Sequence, residues 1–217
     1  HRPQTLQHLR IGAEPDGRLV ALTHDVLNQM SAPVIGEFCE PAGLVSEMLY
    51  ACPNVAVTHR LVPLNRPLPT YMRAPGEAPG TFALESALDE LAAAVKLDPL
   101  ELRLRNYAEI DPHENKLFSS KSLRQCYMAG AQAFGWEHRP LAPRMMREGN
   151  ELIGWGMATA TRAANWQDTS VRLVFTADGD VTVQCGSHDL GTGTYTITAQ
   201  MAADLLNMPV HRVHVEL

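Results

Sequence analysis

The sequence predicts an α+β fold made of two mixed α/β lobes. Three observations predict it. Period-two strand patterns and 3.6-period helix patterns occur in both halves of the chain. A dense run of prolines (Pro63, Pro67, Pro69, Pro75 and Pro79) interrupts the first half and leaves no room there for a regular element. A polar stretch carrying Pro140 and Pro143 then separates the two halves. The expected organisation is a first lobe over 1–140, an antiparallel sheet covered by helices; a linker over 141–150; and the start of a second lobe over 151–217.

Taken in order, His8–Gly12 and Arg18–Asn28 read as two strands joined by Glu14-Pro15-Asp16-Gly17, where Pro presets one φ and Gly supplies the permissive one. Pro41–Ala51 reads as a short helix, and Asn54–Leu64 as a strand with Val55, Val57, His59, Leu61 and Pro63 on one face. After the prolines, Leu84, Leu88, Leu91 and Val95 mark a helix with Pro79 near its first turn. Asp98-Pro99-Leu100-Glu101 starts another helix, with an N-cap, Pro at N1 and Glu at N3, running to about Asn106. Ser120–Phe134 is a third, stopped by Gly135. Ile153–Thr161, Ser170–Thr176 and Val181–Cys185 read as strands, the last two joined by Ala177-Asp178-Gly179-Asp180. A helix over Thr194–Asn207, ended by Pro209, leads to a strand over Val210–Leu217.

The 217 residues are 45% hydrophobic and 19% charged, which is globular rather than disordered. A formal net charge of −6 argues against nucleic acid as the main partner, because phosphate binding needs clustered Lys and Arg. No apolar run approaches the roughly 20 residues that span a bilayer. Cys39, Cys52, Cys126 and Cys185 form no CxxC pair, so zinc and iron–sulfur sites within the chain are not expected. His211 and His214, three apart in a strand, would face opposite ways and share no metal.

Two segments carry chemistry. In Met72–Gly80, Arg73 sits among residues that fix the backbone (Pro75, Pro79) or free it (Gly76, Gly80), just ahead of a helix N-terminus. Both features favour an anion. Gly186–Gly193 lies between a strand and a helix; its three glycines allow close approach of a ligand, and Thr192 and Thr194 can donate hydroxyl hydrogen bonds. Each has a plainer reading, as a Pro-rich connector and as a tight turn with Thr N-caps. Small residues over Ala158–Ala164, flanked by Trp155 and Trp166, leave room for a bulky group or simply pack closely.

Together and in this order, the segments are specific. Tyr71-Met72-Arg73-Ala74-Pro75-Gly76-Glu77-Ala78-Pro79-Gly80 running into Phe82–Ala92, then Asp98–Asn106, then Gly186-Ser187-His188-Asp189-Leu190-Gly191-Thr192-Gly193-Thr194-Tyr195 with Gln200–Asp204 behind it, resembles the molybdenum-binding large subunit of the xanthine dehydrogenase/aldehyde oxidase family, in its bacterial aldehyde oxidoreductase branch. The resemblance covers nearly the whole chain. It implies a molybdenum hydroxylase that oxidises an aldehyde or N-heterocycle with oxygen derived from water, using a molybdopterin cytosine dinucleotide seated between the lobes. It implies that Arg73, as the candidate catalytic residue, and Ala74 and Gly76 approach the molybdenum end of the cofactor. His188, Asp189, Leu190, Gly191, Thr192, Gly193 and Thr194 would line its pterin and phosphate portions, with no protein ligand to the metal. Thr192 stands where the family often has Gln, and His188 where Gln or Thr is common.

The resemblance also implies partner subunits carrying iron–sulfur clusters and FAD. The expected compartment is cytoplasmic, or periplasmic through a signal on a partner subunit. The family's catalytic glutamate would fall beyond Leu217, and an earlier Gly-rich, Phe-containing loop before His1, so the stretch reads as an internal portion of a larger subunit. Glu77 is not promoted into the missing role. The alternative is a non-catalytic remnant or subunit-docking domain of the same fold.

Overall fold

A computed structural model describes residues 1–32, 36–162 and 167–217. It divides into two compact units, His1–Arg162 and Ala163–Leu217.

In the first unit, β1 (Thr5–Ala13) and β2 (Leu19–Ser31) form the expected antiparallel hairpin. Its turn closes through Gly17 N–H to Glu14 O (2.8 Å), with Gly17 at φ +87°. β3 (Val55–Leu64) then pairs with β2 in parallel, so the sheet β1-β2-β3 is mixed rather than antiparallel. The residues between Ser31 and Val55 supply the long crossover that a parallel pair requires. That crossover contains a 3₁₀ turn (Ala42–Leu44) and the short helix α1 (Val45–Met48), together less than the helix expected over Pro41–Ala51.

α2 (Glu77–Val95) lays its apolar stripe on this sheet. Leu84, Leu88 and Ala92, spaced by four, pack with Leu19, Leu22, Val45, Leu49 and Tyr50 and with Leu102 of α3 (Pro99–Arg105). Asp98 caps α3 as the sequence predicts, accepting from Leu100 N–H (2.8 Å) and Glu101 N–H (3.3 Å). α4 runs over Leu123–Phe134, starting three residues later than expected and stopping at Gly135 in the left-handed region. Two short hairpins escape the sequence pattern: β4 (Ile110–Asp111) with β5 (Lys116–Leu117), and β6 (Arg147–Glu148) with β7 (Glu151–Leu152).

Ile153–Thr161 is not a strand. Its burial alternates along the chain, but it pairs with no strand among the described residues. It is held by side chains instead: Thr159 is buried against Tyr50, Glu85 and Tyr127, and Trp155 and Met157 pack with Leu100, Tyr127 and Trp136. These contacts tie residues 155–159 to the first unit, which runs to Arg162. Ala163, Ala164 and Trp166 lie outside the described residues.

The second unit is a sheet of order β10-β9-β8, built from β8 (Val171–Phe175), β9 (Val181–Cys185) and β10 (Val213–Glu216). β8 and β9 form the expected hairpin, with Gly179 at φ +83° in its turn. α5 (Thr194–Leu206) connects β9 to the parallel β10, and Val181, Val183, Ala203 and Val213 form the core between them. The final strand is shorter than expected because Val210–Arg212 is a 3₁₀ turn.

His24 is fully buried in the first unit. Its Nε2–H donates to Gln7 Oε1 (2.9 Å) and its Nδ1 accepts from the Ser46 hydroxyl (2.8 Å), an arrangement met by the neutral ring. Burial, helped by the neighbouring His59 and opposed by Asp25, pulls its pKa from 6.5 down to about 4. The unfolded chain therefore binds a proton that the folded chain refuses. The stabilisation is complete above the ordinary pKa and is lost as pH falls toward 4. Denaturant titrations at pH 7 and pH 5 should differ by about 2 kcal/mol from this group, and His24→Gln should remove that difference.

Candidate functional site

The first candidate loop is fixed by its backbone. Ala74 lies at φ +56° and Gly76 at φ +81°. A non-glycine residue in the left-handed region costs roughly 1–3 kcal/mol unless its surroundings hold it there. A Cβ on Gly76 would lie 2.6 Å from Pro41 O, and one on Gly80 would lie 2.0 Å from Ala42 O, so the start of α2 rests directly on the backbone of the 3₁₀ turn. Gly76 N–H donates to Glu40 Oε1 (2.8 Å). The carbonyls of Arg73 and Ala74 both accept from the Arg2 guanidinium, which also pairs with Glu40. Ala74 O also accepts from Ala78 N–H (3.1 Å), the beginning of α2.

The Arg73 side chain is exposed and makes no hydrogen bond or ion pair among the described residues. The loop is thus rigid and its cation is uncommitted, beside the N-terminus of a 19-residue helix. Glu77, in that first turn, is paired with Arg162 (2.7 Å). The sequence pointed to Arg73, Ala74 and Gly76; it did not signal Arg2 or Glu40, which reach the loop from distant segments.

The second candidate loop, residues 186–193, joins β9 to α5 as expected, but its amides do not face outward. The Asp189 carboxylate accepts from Gly191 N–H (2.7 Å), Thr192 N–H (2.9 Å) and Gly193 N–H (3.3 Å). Desolvation raises the Asp189 pKa, but the backbone donors outweigh it and hold the carboxyl below the usual range. In this structure these three N–H groups are committed to the chain's own carboxylate. The Thr N-caps of the plainer reading are absent too, because Gly193 is the N-cap and neither threonine caps the helix. The Thr194 hydroxyl donates to His188 O (3.1 Å), which leaves the Thr192 hydroxyl to donate to Thr194 Oγ1 (3.0 Å). The His188 side chain is exposed, as is Leu190. A Cβ on Gly186 or Gly193 would meet nothing within 4 Å, so the space beside both glycines is open.

The carboxylate in the amide cradle gives a direct test. In the intact subunit, Asp189→Ala should strip those three amides of their acceptor, and hydrogen exchange over residues 189–195 should accelerate by at least about tenfold, the change for roughly 1.4 kcal/mol of local opening. No group of three or more His, Cys, Asp or Glu side chains is placed to hold a metal ion among the described residues.

The first unit thus carries a rigid turn that presents a cation at a helix N-terminus, and the second unit a glycine loop ahead of its own helix. Molybdopterin cofactor-binding domain models match residues 1–107 and 129–217, and the chain belongs to that family. It is 42% identical over its whole length to the aldehyde oxidoreductase molybdenum-binding subunit PaoC of Escherichia coli K12. It is 32% identical over 95% of its length to the putative xanthine dehydrogenase molybdenum-binding subunit XdhA of the same organism. The chain spans about 29% of the length of these curated relatives. Its fold superposes on the aldehyde oxidoreductase of Desulfovibrio desulfuricans (TM-score 0.78, 23% identity, 99% of this chain and 25% of that one). Quinoline 2-oxidoreductase of Pseudomonas putida 86 gives a TM-score of 0.74 at 20% identity, covering all of this chain and 30% of that one. The expected family and the mixed α/β fold are both found. No helix among the described residues is long and apolar enough to cross a membrane.

Proposed function

We propose that this chain is the part of a molybdenum hydroxylase that supplies two cofactor-contacting loops, 72–80 and 186–194. The carrying observation is the Arg73–Gly76 turn: rigid, strained at Ala74, and ending in an exposed guanidinium with no partner among the described residues. A surface connector has no need for such fixity. When bound, the cofactor supplies a molybdenum centre that takes electrons from an aldehyde or N-heterocycle as it gains water-derived oxygen. Arg73 holds an anionic or carbonyl oxygen at the reacting end, and its planar fork fixes orientation as well as charge.

The second loop serves the pterin portion through the His188 side chain and the open space at Gly186 and Gly193, with Asp189 setting its shape. The cytosine dinucleotide is the proposed cofactor form, and iron–sulfur and FAD subunits are the proposed electron acceptors. The intact subunit from a cofactor-competent host should contain about one molybdenum per chain and release CMP on acid hydrolysis. Molybdenum with a different nucleotide would overturn the cytosine form, and absence of molybdenum would overturn the reading. Asp189, by filling the amide cradle, gives a specific ground for the docking-domain alternative, which predicts no substrate-dependent dye reduction even with molybdenum present.

A further inference from the structure

We infer that Glu40, clamped by Arg2, is a positioning residue that sets the Arg73 turn for catalysis; this rests on the role proposed for Arg73. Glu40 is fully buried, whereas most glutamates are exposed. One oxygen, Oε1, serves both Arg2 and Gly76 N–H; the other, Oε2, has no hydrogen-bond partner among the described residues. A buried carboxylate with an idle oxygen is a costly way to hold a turn, because the desolvated charge must be offset by its partners. A neutral acceptor would satisfy Gly76 N–H alone.

The charge does something more. It locks Arg2, whose guanidinium then holds the carbonyls of Arg73 and Ala74. One ion pair thereby fixes the two successive peptide units on either side of Ala74 and the Gly76 amide that follows. That clamp sits where Ala74 is held at φ +56°. His1 O accepts from Thr70 N–H (3.0 Å), and the Phe38 and Tyr71 rings stack edge to face at 4.6 Å, so the same two chain segments also brace the approach to the turn. Neither Glu40 nor Arg2 need touch substrate; both act through the direction in which Arg73 leaves the turn.

The test is a double-mutant cycle in the intact, cofactor-loaded enzyme, with kcat/KM normalised to molybdenum content. Glu40→Gln keeps an acceptor for Gly76 N–H and removes the charge; Arg2→Lys keeps the charge and removes the fork. Either change should lower kcat/KM about 10–100-fold when Arg73 is present and less than about twofold in an Arg73→Ala background, since residues acting through one group are not additive. Hydrogen exchange over residues 72–78 should accelerate in both variants, and that readout needs no turnover. Equal losses in the two backgrounds, or unchanged turnover and exchange, would overturn the positioning role. An Arg73→Ala enzyme with undiminished kcat/KM would instead overturn the reading of Arg73 itself, so the two failures are distinguishable.

Discussion

Arg73→Ala in the intact subunit is expected to lower kcat/KM on the order of 10²–10³-fold, the loss that follows removal of one preorganised donor from a reacting centre. Stability should barely move, because the side chain is exposed and supports nothing among the described residues. What holds the turn is the Arg73 carbonyl, not its guanidinium, and alanine keeps that carbonyl and its bond from Arg2. Arg73→Lys should recover only part of the loss, since an ammonium restores charge without the two-pronged geometry. Steady-state kinetics on each variant, paired with thermal melts, check this. Equal damage to turnover and to melting would mean that the loop is structural.

Arg103→Ala should show the opposite pattern, a loss of about 3–5 kcal/mol in stability from breaking a buried ion pair. Arg103 of α3 is buried and donates from Nε to Glu85 Oε2 (2.8 Å) on α2, from Nη1 to Pro99 O (3.0 Å), and from Nη2 to Glu85 O (3.2 Å). It also pairs with Asp89 (2.9 Å). Glu85 in turn accepts from the Tyr50 hydroxyl (2.7 Å) and from Thr159 N–H (2.8 Å). Burial and the Glu85 charge push the Tyr50 pKa up, so the phenol stays protonated and keeps donating. Burial opposes the charged guanidinium, but Glu85 prevails and Arg103 stays ionised. Removing Arg103 leaves Glu85 buried and charged with only neutral donors. Asp89→Ala should cost less, about 1 kcal/mol or under, because Asp89 is 40% exposed and water replaces the partner. Denaturant titration of the intact subunit separates the two, and a similar small loss for both would show the network to be dispensable.

The legible parts of this fold were those decided within a few residues. Glu14–Gly17, Asp98-Pro99, Gly135 and Ala177–Asp180 each carry turn or cap chemistry, and each forms the turn, start or stop it specifies. The direction of β3 was not legible, because pairing beside β2 depends on the crossover and on contacts far along the chain. Burial alternates over Ile153–Thr161 as it would in a strand, but nothing local says whether the backbone finds a partner strand. The site divided in the same way. Proline and glycine density exposed the Arg73 turn, whereas Glu40 and Arg2 bond to it across 36 and more residues and leave no local mark. Asp189 was visible beside its glycines, but an aspartate that folds its own loop and one that faces a ligand look alike until the amides are seen to converge on it.

Each loop is proposed to contact molybdopterin cofactor, and the most direct measurement is an experimental structure of the intact, molybdenum-loaded subunit. The account predicts cofactor within hydrogen-bond reach of the Arg73–Gly76 turn and of residues 186–194, with Asp189 still holding the amides of Gly191, Thr192 and Gly193. A cofactor bound elsewhere, with both loops facing only solvent or protein, would contradict it.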